Sequence, residues 1–246
     1  MDALELGQAI IEYCHTYKVP EEYIYDILID QKVVPMIRGK ATEYAVFLML
    51  KQILNRREWS VEKLNLNAQT GIHDEDVTIT HQRTGIIIKV ECKNAVRGSF
   101  TYSNRARFSR EPFCKIKCHK SRSSLDKAAT TNDRYVVGDF DIVISNLSNA
   151  VIASATYLEN FELIADERLI GKLAEYYHCS PVYQDIFDSA YDDWRFALAE
   201  NIAEEGVIPR TPYVLLENDP NWCPLSKLEE HLLQFVRMHR DRIGQR

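Results

Sequence analysis

The stretch Gly85-Ile86-Ile87-Ile88-Lys89-Val90-Glu91-Cys92-Lys93 constrains the fold more than any other, because a β-branched apolar run ends in charged residues. β-branched side chains favour extended backbone. A short apolar run of this kind reads as a buried strand. A second strand-like run, Asp76-Val77-Thr78-Ile79-Thr80, precedes it, and His81-Gln82-Arg83-Thr84 between them reads as a hairpin connection. In such a hairpin Asp76, at the start of the first strand, lies near Glu91 at the end of the second. Alternation along a strand puts Glu91 and Lys93 on one face and Cys92 on the other.

Helical signals flank these strands. Leu6, Ile10, Tyr13 and Tyr17 recur at helical spacing over 3–17, and Pro20 opens a second helix over 21–32 with Tyr23, Ile27 and Leu28 facing inward. Arg38-Gly39-Lys40 leads into a helix over 41–56 striped with Val46, Phe47, Leu50, Ile53 and Leu54. Its first turn holds Glu43, where the helix dipole favours a carboxylate. Val61, Leu64 and Leu66 suggest an extended segment, and Asn67 to Gly71 a turn. Strands are expected over 136–144 and 151–155, and 157–240 reads as largely helical, broken at Pro181 and from Pro209 to Pro224. The order implies an α/β chain with a mixed central sheet flanked by helices. We expect an N-terminal helical segment over 1–37, a core over 38–155 and a mainly helical C-terminal part over 156–246.

Two acids and a lysine at one end of a sheet suit phosphodiester hydrolysis. Hard cations such as Mg²⁺ bind carboxylate oxygens and keep waters. A lysine ammonium can orient the attacking water or stabilise charge on the phosphate. The other acid-x-Lys tripeptide, Asp30-Gln31-Lys32, sits in a helical context without an upstream acidic hairpin and reads as solvated surface.

Net charge is −6, yet charge is unevenly spread. Lys93 to Lys127 holds ten basic residues and two acids, whereas Thr156 to Glu230 holds sixteen acids and five bases. A local basic surface attracts phosphates whatever the total, since exposed charges are screened beyond roughly 10 Å. In Lys115-Ile116-Lys117-Cys118-His119, alternation puts Lys115, Lys117 and His119 on one face, where they can grip backbone phosphates. Arg97, Arg105, Arg107, Arg110, Lys120 and Arg122 complete the expected DNA contacts.

Asp76, Glu91 and Lys93 resemble the PD-(D/E)xK motif of the restriction-endonuclease-like nuclease superfamily, over a region from Gly39 to about Ala155. That resemblance implies a restriction-endonuclease-like core and Mg²⁺ held by Asp76 and Glu91 with Cys92 as a further metal contact. Lys93 would position the water, and Glu43 looks like the family's helical glutamate. The family often has proline before its aspartate; here Glu75 stands there, and His73-Asp74-Glu75-Asp76 offers Asp74 as a rival ligand. Asp76 is preferred because Val77 and Ile79 start the strand directly after it. Size and the absence of a helicase motif make the chain most similar to a type II restriction endonuclease, a homodimer cutting double-stranded DNA to 5′-phosphate and 3′-hydroxyl ends. A repair nuclease and a non-catalytic DNA-binding protein are the rival readings.

The longest apolar stretch, Tyr44 to Leu50, is far short of the roughly 20 residues a membrane span needs. Six cysteines lack a framework spacing, so reduced thiols in a cytosolic protein are expected, and the resemblance implies a bacterial or archaeal cytoplasm. Cys114, Cys118 and His119 lack the paired spacing of common zinc modules. Asp139 and Asp141 read as strand caps rather than metal ligands.

Overall fold

The computed structural model describes residues 1–63, 76–102, 111–120, 133–151 and 167–243. The strands in chain order are β1 (Trp59–Glu62), β2 (Val77–His81), β3 (Ile87–Asn94), β4 (Thr101–Tyr102), β5 (Pro112–Lys115), β6 (Ile142–Asn146), β7 (Trp194–Leu198), β8 (Tyr213–Leu215) and β9 (Trp222–Pro224). The helices are α1 (Ala3–Tyr17), α2 (Ile24–Ile29), α3 (Val33–Ile53), α4 (Ser148–Val151), α5 (Glu167–Tyr177), α6 (Tyr183–Tyr191), α7 (Ala199–Ile202) and α8 (Leu228–Ile243). Six strands form a mixed sheet in the order β1-β2-β3-β6-β7-β9, and β4-β5-β8 form a second, antiparallel sheet. Among the described residues only β3 and β6 run parallel; β1-β2-β3 is an antiparallel meander, and β7 and β9 are antiparallel to their neighbours. The chain is thus α/β with a mixed sheet.

Both faces of the central sheet are covered, which is why β3 and β6 read as near-continuous apolar runs. On one face Ile88, Val90, Ile142, Ile144 and Phe196 pack with Val46 and Leu50 of α3 and Leu228 and Leu232 of α8. On the other, Val143, Leu147 and Ala197 pack with Leu173 of α5, Ile186 of α6 and Cys114 and Val214 of the small sheet. Each fully buried aliphatic side chain contributes about 1.5–3 kcal/mol. Among the described residues no helix is long and apolar enough to cross a membrane.

Four expectations need correction. The helix placed at 41–56 starts at Val33, because the Asp30 carbonyl accepts the N–H groups of Val33 and Val34 at 2.9 Å. Pro35 then sits in the first turn, where a missing N–H costs nothing, and Gly39 is absorbed mid-helix. Tyr23, Ile27 and Leu28 are exposed rather than inward-facing. The strand expected from Val136 starts only at Ile142. Before it, Asp139 Oδ2 accepts the Val136 N–H at 2.9 Å, and Gly138, at φ 105°, makes a turn that favours glycine. The C-terminal third is less helical than expected, since β7 and β9 complete the central sheet and β8 the small one. Of the segment 151–155, Val151 ends α4 and the rest lies outside the described residues, as do Leu64, Leu66 and 67–71.

Candidate active site

The hairpin register sets Val77 opposite Val90, so Asp76, one residue earlier, falls level with Glu91. The Cys92 backbone N–H donates to Asp76 Oδ2 at 2.8 Å. In a strand the N–H and C=O of one residue lie on the same side, so the Cys92 carbonyl is also directed toward Asp76. The Cys92 side chain points away and packs in the apolar layer with Val46, Leu50 and Val90. Burial, then Asp76 and Glu91, pushes its thiol well above the usual range. The Cys92 sulfur, expected as a metal contact, therefore faces the core, and only the backbone of Cys92 is directed toward the site.

Glu91 and Lys93 share the opposite face, as alternation requires, and Lys93 Nζ pairs with Glu91 Oε1. The same oxygen accepts a hydrogen bond from the Tyr135 hydroxyl at 2.6 Å. The Lys93 ammonium lies 5.2 Å from the Tyr135 ring centre. All three groups are largely out of solvent, and each shapes the others' charge. Burial opposes the Lys93 cation, but Glu91, Tyr135 and Asp76 outweigh it and raise its pKa above that of an ordinary lysine. Burial, then Glu91, holds the Tyr135 hydroxyl protonated, so it stays a donor.

Asp76 is the most perturbed acid. Burial first, then repulsion from Glu91 and more weakly from Glu43, pushes it up to about 7 against the opposing pull of Lys93 and the Cys92 N–H. Repulsion among buried carboxylates is the condition a bound cation relieves.

Glu43 reaches the edge of this site by a different route from the one expected. It lies well inside α3 and not in its first turn, so the dipole argument does not apply. Its Oε2 instead pairs with Lys40 Nζ at 2.9 Å and with Lys63 Nζ. Thr42, next to it, donates to Asn94 Oδ1 at 2.7 Å, tying α3 to the exit of β3.

Part of the basic stretch runs beside that exit. Val96 N–H donates to the Lys115 carbonyl at 2.7 Å, and Lys117 N–H to the Asn94 carbonyl at 3.0 Å. Ile116 and Cys118 are fully buried while Lys117 is exposed, as the alternation predicts. Lys115 and His119 are half-buried, and His119 Nδ1 contacts the Lys120 carbonyl at 3.1 Å. Lys120 lies 5.6 Å from the Tyr135 ring centre and pairs with Asp139 at 2.8 Å. Arg97 lies in the turn after β3. Arg105, Arg107, Arg110 and Arg122 lie outside the described residues, as does Asp74. Asp141 Oδ2 accepts the Lys89 N–H at 2.8 Å, the role of a cap. Burial pushes the Cys118 thiol up to about 12.

Among the described residues no group of three or more His, Cys, Asp or Glu side chains is placed to hold a metal unaided. Asp76 and Glu91 with the Cys92 carbonyl nonetheless make an all-oxygen donor set. In the bonds above, Asp76 uses Oδ2 and Glu91 uses Oε1, which leaves their other oxygens to a ligand. Mg²⁺ commonly takes only one or two carboxylates and completes its shell with water and phosphate, so this donor set fits it.

Tyr135 and Lys63 carry no local signal in the sequence, since their partners lie 44 and 20 positions away. Comparison of the chain with protein-family models, curated proteins and solved structures finds no match.

Proposed function

We propose that this chain is a Mg²⁺-dependent endodeoxyribonuclease with a restriction-endonuclease-like core. The observation that carries the reading is Asp76 set opposite Glu91-Cys92-Lys93, with its pKa pushed up to about 7. A structural ion pair would not place a second buried carboxylate against Glu91. A site that takes up a divalent cation would.

Asp76, Glu91 and the Cys92 carbonyl would hold the metal. When bound, Mg²⁺ supplies a Lewis acid for a phosphate oxygen and lowers the pKa of a bound water. Lys93, kept as an ammonium, donates to the attacking water or a phosphate oxygen and does not act as a base. Tyr135 fixes the Glu91 carboxylate by its hydroxyl. Glu43 adds negative charge at the site edge, moderated by Lys40 and Lys63. Lys115, Lys117, His119 and Lys120 approach the backbone phosphates, with Arg97 beside them. Cleavage leaves 5′-phosphate and 3′-hydroxyl ends, and we assign the chain to site-specific type II enzymes that act on double-stranded DNA as homodimers in a bacterial or archaeal cytoplasm.

Digestion of mixed plasmid and phage DNA tests the assignment. Discrete fragments that require Mg²⁺ are expected. Smearing with the same requirement would keep the site and discard sequence specificity. DNA bound tightly but never cut would leave a binding protein.

A further inference from the structure

A cluster outside the metal site carries charge that the catalytic reading does not use. Arg38 stands on α3 one turn before Thr42, roughly 6 Å along the axis and on the same helix face. Thr42 is tied to Asn94, and Arg38 makes the next rung of the same ladder. Its Nη2 donates to Asn149 Oδ1, and Asn149 Nδ2 donates to the Ala95 carbonyl. The turn after β3 closes on the same asparagine, since the Gly98 N–H donates to the Asn149 carbonyl at 3.2 Å. The Ser99 N–H donates to the Val96 carbonyl at 3.2 Å, which sets Arg97 at the corner of a tight turn. Gly98 follows at φ 57°, a left-handed position that favours glycine. Lys115 is held against this turn. It accepts the Val96 N–H at 2.7 Å and donates its own N–H to Ser99 Oγ at 3.1 Å.

Both guanidinium groups act on one phenol, Tyr183, in the first turn of α6. Burial raises its hydroxyl above the ordinary range, and Arg97 and then Arg38 pull against that rise. Asp188, exposed on α6 and bonded to Gln184 Nε2 at 2.7 Å, acts in the opposite sense. Arg38 and Arg97 are half-buried, so solvent reaches them. The Asn149 amide aims the Arg38 guanidinium without cancelling its charge, and guanidinium groups match phosphate with parallel N–H donors. We propose that Arg38 and Arg97 form a second phosphate site, which holds a DNA backbone phosphate flanking the one at the metal site. Position selects this ligand. β3 carries Lys93 to the metal site, and Arg97 follows four residues later, roughly 13 Å at full extension. Lys115 stands beside that path. Cations set in a row from the metal site suit a chain of repeating phosphates, whereas a single small anion would need only the arginine pair. The inference rests on the nuclease reading, which supplies the DNA.

The test is fluorescence anisotropy of the full chain with two duplexes of unrelated sequence, in EDTA and over a range of salt. Arg38→Gln and, separately, Arg97→Gln should weaken binding of both duplexes about 5- to 20-fold near 0.1 M salt. Each should lower the slope of log K against log salt by about 1, the mark of one lost phosphate contact. Arg38→Lys keeps the charge but not the fork, so it should restore the slope and only part of the affinity. Arg57→Gln, exposed beyond the opposite end of α3, should change neither. Slopes and affinities equal to the wild type in both glutamine variants would overturn the proposal. So would a loss confined to one duplex, which marks base reading, or a loss that Arg38→Lys does not relieve and that a lowered Tm accompanies. Wild-type protein that binds neither duplex would overturn both this site and the nuclease reading. The expected slopes in a protein that cuts nothing with Mg²⁺ would uphold the arginine site and remove the nuclease reading alone.

Discussion

The Cys92 backbone N–H holds Asp76 by its Oδ2 at 2.8 Å, one position past the last β2–β3 pair. The bond turns a strand terminus into a fixed carboxylate beside Glu91. It also separates two roles of Cys92: backbone toward the site, sulfur in the core. Cys92→Ala should therefore keep Mg²⁺ affinity within about 3-fold while lowering stability by about 1–2 kcal/mol, as expected for a small buried deletion. Asp76→Asn should abolish detectable Mg²⁺ binding by calorimetry but keep or strengthen DNA binding, because a negative charge near the phosphates is lost.

Asp76 also sets a pH dependence of stability without metal. Its carboxyl titrates near 3.8 unfolded and about 7 folded. Between those values the folded state holds a proton that the unfolded chain has lost, so stability falls as pH rises across that window. Below about 4 the contribution is fully present; above about 7 it is gone. In EDTA, Tm should fall from pH 5 to pH 8 more steeply for the wild type than for Asp76→Asn. Equal slopes for the two proteins would contradict the origin assigned to the shift.

Lys93 remains an ammonium throughout the working range. Lys93→Ala should lower kcat by about 10²–10³-fold with little change in KM for DNA. The wild-type rate should show no descending limb from Lys93 below about pH 10. A rate that instead rises with pH through a limb near pH 8, absent in Lys93→Arg, would mean that the lysine acts as a base.

Tyr135 positions Glu91 through its hydroxyl. Tyr135→Phe keeps the ring against Lys93 and removes only the hydroxyl. Mg²⁺ affinity should drop about 10- to 100-fold, the usual cost of losing a group that orients a metal ligand. Rescue at high Mg²⁺ would separate this role from a purely structural one, which added metal would not restore.

Arg195 anchors the fold rather than the chemistry. It is 4% exposed, pairs with Asp193 at 2.8 Å and donates to the carbonyls of Leu215 and Leu216, joining β7 to the end of β8. Removing one partner leaves a buried charge, so Asp193→Asn should cost about 3–5 kcal/mol in chemical denaturation.

The hairpin was legible because two runs rich in β-branched residues stand only a short turn apart. The alternation of side chains along extended backbone correctly separated Glu91 and Lys93 from Cys92, and Lys117 from Cys118. Helix α3 was misplaced because its start rests on the Asp30 carbonyl and tolerates both Pro35 and Gly39, each of which reads as punctuation. Strand β7 was missed because Arg195 interrupts its apolar run, and only the partners supplied by the fold make that charge tolerable inside. Tyr135 was out of reach for another reason. Its bond to Glu91 spans 44 residues, and no local pattern marks a tyrosine that a distant strand will meet.

Supercoiled plasmid offers the most direct measurement: a cleavage time course with Mg²⁺, with EDTA, and with Lys93→Ala and Asp76→Asn beside the wild type. Nicked and linear products should form only with wild-type protein and Mg²⁺, with both variants slowed at least about 100-fold while still binding DNA. Cleavage that persists in EDTA, or that either variant carries out at the wild-type rate, would contradict an active site built on Asp76, Glu91 and Lys93.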